Sequence, residues 1–184
     1  MWGVMSRVYE VGMLHERVTK NPVLHVETRC KSAIVITPTE TFNNLKALTN
    51  ILHQTLVLTC AATALRSPEI LAPRWADSLW EEERIRVSKR WAKSEDGATK
   101  TEASDGYVPF HPVLAHHLRQ WRSQTPHTKE TDFVFPSFKA SGRVPLSSSA
   151  FVADHLRPAA HAAGVQIEDG QRFGLHNLRH SLSS

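Results

Sequence analysis

Apolar positions along the chain fall mostly at helical spacing and only once into alternation. In residues 1–20, Trp2, Val4, Met5, Val8, Tyr9 and Met13 recur every three or four positions, which predicts an amphipathic helix. Asn21-Pro22 closes it, because the residue before a proline is pushed out of helical conformation. From Glu27 to Ala33 the chain is polar and aperiodic and reads as a linker. At Thr37-Pro38-Thr39-Glu40 a threonine N-cap, a proline in the first helical position and a glutamate three residues after the cap start a second helix. That helix carries Phe42, Leu45 and Leu48 on one face. Ile51 to Leu65 is apolar nearly all round, the pattern of a buried central helix. Ser67-Pro68-Glu69 restarts a short helix that Pro73 ends.

After Asp77 the period changes. Ile85, Val87 and Lys89 alternate with Arg86, Ser88 and Arg90, and a tight acidic turn joins this strand to the preceding Ser78-Leu79-Trp80. A polar loop, residues 92–106, leads to a third short strand at Tyr107–Phe110. Residues 111–124 form a helix facing in through Val113, Leu114, Leu118 and Trp121. Residues 147–164 form another, with Phe151, Val152 and Leu156 inside and a break near Pro158. No internal repeat is present. The order predicts a mainly α domain with a small antiparallel β-sheet (α+β), not alternating βαβ units.

Composition narrows the classes. A length of 184 residues suits one domain, or one domain with an attached tail, and a 41% hydrophobic content is that of a globular protein. No apolar run is long enough to span a membrane, and Met1 to Glu10 lacks the basic start and apolar core of a secretory signal. A soluble, cytoplasmic protein with no membrane partner is therefore expected. Cys30 and Cys60 are far apart and without CxxC spacing, so they read as free thiols and not as a disulfide or metal pair. The 22 Lys+Arg against 18 Asp+Glu give a net +4, compatible with a polyanionic partner.

Four features carry possible chemistry. Arg66 leaves the most apolar helix, where a guanidinium is costly unless paired or bound to an anion. Glu69 could be its salt-bridge partner only, or could hold it in position for a ligand. Lys100, between the second and third strands, could swing over a cleft to donate a proton, or could be a solvated loop lysine. In Gly174-Leu-His-Asn-Leu-Arg-His180, a helix would set His176, Arg179 and His180 on one face. That face suits an anion; a capping role for His176 is the plainer reading. A metal site lacks the glutamate of HExxH and any nearby carboxylate or cysteine. The fourth feature, a group formed by His111, His116 and His117, has no third ligand and is given no function. Arg66, Lys100, His176 and Arg179 together suit a phosphoryl group whose charge grows in the transition state, with no acidic cluster to hold a metal.

Three segments resemble the motifs of the tyrosine recombinases (the phage integrase family). Thr63-Ala-Leu-Arg-Ser-Pro-Glu69, followed by Trp75-Ala-Asp77 and the strands, resembles the family's arginine box. Lys100 to Leu118 looks like its lysine hairpin and following helix, and residues 176–180 look like its H-x-L-R-H box. The likeness covers about residues 33–184, and residues 1–32 look like the end of the core-binding domain plus a linker. It implies a helical catalytic domain that breaks and rejoins double-stranded DNA through a 3′-phosphotyrosyl link, without metal, ATP or other cofactor. Arg66 and Arg179 would then stabilise the transition state. Lys100 would be the general acid to the 5′ oxygen, His176 would assist proton transfer, Glu69 would buttress Arg66, and His180 would give packing or phosphate support. Arg84, Arg86, Lys89 and Arg90 on the basic hairpin would contact DNA.

Two departures follow. Ala64 replaces the family's usual glycine and Pro68 its usual serine. The family's remaining His or Trp and its nucleophilic tyrosine lie beyond the H-x-L-R-H box, and the two tyrosines here, Tyr9 and Tyr107, occupy neither place. The expectation is a C-terminally truncated catalytic domain with no nucleophile, unable to cleave DNA alone, with the apolar faces of Leu156 and Leu178 uncovered and a partner helix or marginal stability as the consequence. The alternative is a non-catalytic DNA-binding or regulatory module that pairs with intact recombinase subunits.

Overall fold

The computed structural model describes residues 2–22, 34, 36–92, 95–98, 106–168 and 171–180. The chain divides into two compact units, Met1–Ser32 and Ala33–Ser184. The first holds helix α1 (Trp2–Leu14), with Val8, Val11 and Leu14 exposed. This helix stops before Asn21-Pro22, because Glu16 turns into the left-handed region at φ 54°.

The second unit is mainly helical with small antiparallel sheets. Helix α2 (Pro38–Ala47) begins at the predicted capping box: the Thr37 side chain accepts from the Glu40 N–H at 3.2 Å, and the Glu40 carboxylate accepts from the Thr37 N–H at 2.7 Å. It turns Asn44 inward and leaves Phe42 53% exposed, while Leu45 and Leu48 of the predicted face pack on the core. Helix α3 (Ile51–Thr63) is the hub, packed on α2 and on three further helices: α4 (Ser67–Leu71), α5 (Pro112–Gln124) and α8 (Leu175–His180). It buries Leu52, Leu56, Val57 and Cys60 together with Thr55 and Thr59. The threonines tolerate burial because each hydroxyl bonds back to its own helix, Thr55 to the Ile51 carbonyl and Thr59 to the Thr55 carbonyl, both at 2.7 Å.

Strands β1 (Ser78–Leu79), β2 (Arg84–Val87) and β5 (Gly106–Pro109) form an antiparallel sheet in the order β1-β2-β5. Ile85 and Val87 face the core while Arg86 and Tyr107 are exposed. The predicted long strand breaks at Ser88. Lys89 is exposed and does not continue the inward face of Ile85 and Val87. Beyond the break, β3 (Lys89–Ala92) pairs instead with β4 (Glu95–Ala98) as a separate two-stranded ribbon, inside the stretch expected to be a loop. In α5 the buried residues are Leu114, Ala115, Leu118 and Trp121, and Val113 is exposed.

The region around Pro158 is continuous, not broken. Helix α6 (Ser148–Phe151) widens into a π-turn over Val152–Leu156 and returns to α geometry in α7 (Arg157–Ala162). Pro158 lacks the N–H an α-helix would use and its ring crowds the carbonyl four residues back; widening the preceding turn relieves this, with the Arg157 N–H reaching Val152. Leu156 and Leu178 are both 0% exposed, so the predicted uncovered faces do not exist. Both join the one core cluster that also holds Leu56 and Cys60 of α3.

On this π-turn His155 lies against His53 of α3, ring centroids 4.0 Å apart, with Phe151 5.2 Å from His53. Burial, aided by the neighbouring His155, lowers the His53 pKa from 6.5 to about 4. The unfolded chain therefore binds a proton that the folded one rejects, so the contribution of His53 to stability is complete above pH 6.5 and lost as pH falls towards 4. Urea unfolding at pH 7.5 and pH 5 is expected to show a loss of stability on acidification that His53→Gln reduces; equal losses in both proteins would contradict it.

Candidate functional site

Arg66 lies just past the end of α3. The helix closes at Ala64, a non-glycine residue in left-handed conformation (φ 51°, ψ 21°) whose N–H donates to the Cys60 carbonyl. The turn made by glycine in the resembling pattern is thus made here by alanine, at the steric cost of its Cβ. Pro68 fits the first turn of α4, where no N–H is needed. Glu69 reaches back to Arg66 twice: one carboxylate oxygen accepts the Arg66 backbone N–H at 2.9 Å and the other pairs with the guanidinium at 3.0 Å. The Arg66 side chain remains 64% exposed, so one edge of the guanidinium is fixed and the rest faces solvent.

His176 and Arg179 enter on α8, which crosses the C-terminal half of α3. The Cys60 thiol donates to the Leu175 carbonyl at 3.2 Å. Burial pushes that thiol up to about 12, and the Arg179 guanidinium, near enough to be felt, pulls the other way. Leu175, Asn177 and Leu178 face inward, while His176 is exposed and Arg179 half-buried. Asn177 positions the helix: its side-chain oxygen accepts the Gly174 N–H at 2.9 Å, and its amide donates to the Ile34 carbonyl at 2.7 Å. Its place within the motif gave no sign of this role, because both partners lie outside the helix.

The other predicted residues are more scattered. Lys100 lies outside the described residues, as does the side chain of His180. The first strand of the ribbon that precedes Lys100, β3, packs on α4, the helix that Arg66 caps. Arg84 and Arg86 belong to β2, whereas Lys89 and Arg90 belong to the separate ribbon, so the four do not share one strand. Arg84 stacks over the exposed Tyr107 ring at 4.2 Å and pairs with Glu82. His111 caps α5, its Nδ1 accepting the Val113 N–H at 3.3 Å, and burial lowers the pKa of His117. Among the described residues no three His, Cys, Asp or Glu side chains lie close enough to hold a metal ion.

A cleft of about 360 Å³ beside α4 was not foreseen. Pro68, Leu71 and Trp91 meet Ser137, Ser147 and Ser148 there. The sequence signal, a run of serines before a helix, points to capping, and Ser147 does cap α6.

A family model described as Phage integrase family matches residues 36–184. Among solved structures, the Tn1549 transposon integrase in complex with a circular intermediate DNA aligns over 96% of this chain and 61% of its own, at TM-score 0.72 and 13% identity. XerA recombinase aligns over 97% and 58%, at TM-score 0.63 and 16% identity. Lambda integrase bound to DNA aligns over 98% and 61%, at TM-score 0.59 and 17% identity. At these identities the likeness is one of fold, and the chain spans about three fifths of the length of each structure. No curated protein sequence matches. Among the described residues no helix is long and apolar enough to cross a membrane.

Two stability effects are expected from the site's supports. Ala64→Gly removes the Cβ from a left-handed position and is expected to raise unfolding free energy by about 1 kcal/mol. Asn177→Ala strands the Gly174 N–H and the Ile34 carbonyl and is expected to cost about 1–3 kcal/mol. Urea titration of the two variants beside the parent chain checks both; no change in either would mean the turn and the tether carry no strain and no support.

Proposed function

The chain belongs to the phage integrase family, and from that membership we propose that residues 33–184 form the DNA-binding catalytic domain of a site-specific recombinase. Residues 1–32 are then the end of a core-binding domain and its linker. The partner is double-stranded DNA, met by further recombinase subunits. What supports this most is the convergence on α3: Arg66 stands at its exit, held along one edge by Glu69, and the helix bearing His176 and Arg179 lies across its C-terminal half.

In this reading the scissile phosphate takes forked hydrogen bonds from Arg66 and Arg179, which neutralise its nonbridging oxygens as negative charge builds. Glu69 keeps one edge of Arg66 fixed, so little reorganisation is needed when the phosphate arrives. Lys100 protonates the departing 5′ oxygen and His176 assists proton transfer at the attacking oxygen. His180, the last position of the same motif, gives packing or phosphate support. Arg84, Arg86, Lys89 and Arg90 hold the flanking backbone.

Strand cleavage also needs a tyrosine, whose oxygen bonds to phosphorus as the 5′ oxygen leaves. The tyrosines of these 184 residues are Tyr9, on α1, and Tyr107, beneath Arg84 on the sheet. Neither belongs to the motif cluster. The 184-residue chain by itself is therefore assigned DNA binding without cleavage. As a non-catalytic module it would act beside an intact subunit.

Fluorescence anisotropy on a labelled duplex is expected to show binding that weakens steeply from 50 to 200 mM salt, by about tenfold or more if several phosphates are contacted. Arg66→Ala and Arg179→Ala are each expected to weaken it about tenfold, the loss of one charged hydrogen-bonding group. A suicide duplex is expected to yield no covalent adduct. Salt-independent binding would overturn the phosphate clamp, and an adduct from this chain would overturn the absence of a nucleophile.

A further inference from the structure

Away from the motif cluster, an open groove of about 610 Å³ is lined by Trp80, Arg119, Arg122, Ser123 and Thr128. Trp80 forms its floor. The Arg119 and Arg122 guanidinium carbons stand 5.4 and 5.8 Å from that ring's centroid, so two cations share one indole. The two arginines are three residues apart on α5, a spacing at which like charges repel. Arg122 is balanced by Glu130 at 2.6 Å. Arg119 has no acidic partner among the described residues. The indole nitrogen of Trp80 is buried and likewise without an acceptor among them, whereas its neighbour Trp75 donates to the His127 carbonyl at 2.8 Å.

The same tryptophan begins an acidic turn, Glu81-Glu82-Glu83, with all three residues exposed. Glu82 pairs with Arg84, while Glu81 and Glu83 have no basic partner among the described residues. The turn is held in shape. Glu83 sits at φ 48°, its N–H reaching the Trp80 carbonyl at 3.4 Å, and its carbonyl accepts the Phe110 N–H at 2.7 Å. One face of the protein therefore carries, in a groove lined by the Trp80 indole, a guanidinium with no acidic partner among the described residues and, beside it, a pinned turn whose Glu81 and Glu83 have no basic partner among them.

We propose that this face is a self-complementary docking surface, with the Glu81–Glu83 turn of one copy entering the Arg119–Arg122 groove of a second copy and the reverse contact made by the same two-fold symmetry. Charge chooses the occupant. A nucleic acid backbone at the groove would face the carboxylates of Glu81, Glu82, Glu83 and Glu130. An acidic peptide would balance Arg119 but leave the glutamate turn unpaired. A second copy supplies both signs at once, which is the condition for an isologous contact. The inference is independent of any role in recombination.

Sedimentation velocity of the full chain, from low micromolar to submillimolar concentration, tests it. The expected result is a monomer–dimer equilibrium weakened by salt. Arg119→Glu alone, and Glu81→Arg with Glu83→Arg, should each raise the dimer dissociation constant about tenfold or more, since each places like charges across the contact. Mixing the two variants should restore association, because both contacts of the mixed dimer again join opposite charges. A chain that stays monomeric overturns the proposal, as does association that ignores either substitution or fails to return on mixing. Circular dichroism of each variant separates lost docking from lost folding. A parent chain that shows no association while Arg119→Glu weakens duplex binding would assign the groove to DNA and equally overturn it.

Discussion

A helix can pack against several others only if the polar side chains it buries need nothing from water, and α3 meets that condition. Thr55 and Thr59 return their hydroxyls to carbonyls one turn back, so they enter the core as spent hydrogen-bonding groups. Cys60 gives its thiol to the Leu175 carbonyl. With these groups satisfied, α3 presents packing surface to α2, α4, α5 and α8 alike, and the positions of those helices follow from it.

The candidate cluster inherits its geometry from that hub. One end of α3 fixes Arg66 through a strained alanine turn and the Glu69 bridge. Its flank carries α8, so His176 and Arg179 take their places from the burial of Leu175 and Leu178. Side chains that would touch a ligand are thus set by side chains that never meet solvent. The Asn177 tether adds a second constraint, tying α8 to the chain at Ile34.

Much of this was legible beforehand where local chemistry decides. The Thr37–Glu40 capping box, the α3 core and the tight turn into β2 involve neighbours in sequence, and they appear where the pattern puts them. What was misread depends on partners far along the chain. Phe42 and Val113 looked inward by periodicity but lie at the edge of their faces and are exposed, while Asn44 and Ala115 join the predicted Leu48, Leu114, Leu118 and Trp121 inside. The alternation through Arg90 concealed a change of sheet at Ser88, since Lys89 and Arg90 suit an exposed ribbon as well as a strand edge. Proline 158 signalled disruption correctly in kind but not in form, because widening one turn costs less than abandoning a helix. The motif residues Arg66, His176 and Arg179 were visible from sequence. The tether at Asn177 and the cleft beside α4 were not, because each joins segments remote from one another.

The contacts that hold α8 span 115 residues, from Cys60 to Leu175, and 143 residues, from Ile34 to Asn177. Pairings of such separation form late, since loop closure must precede any gain from them. During synthesis α2 and α3 can form early, yet α8 cannot dock on α3 until residues 175–180 have emerged. Until then Arg66 stands at the exit of α3 without the helix that bears His176 and Arg179. The direction of synthesis thus sets when α8 takes its place on the hub.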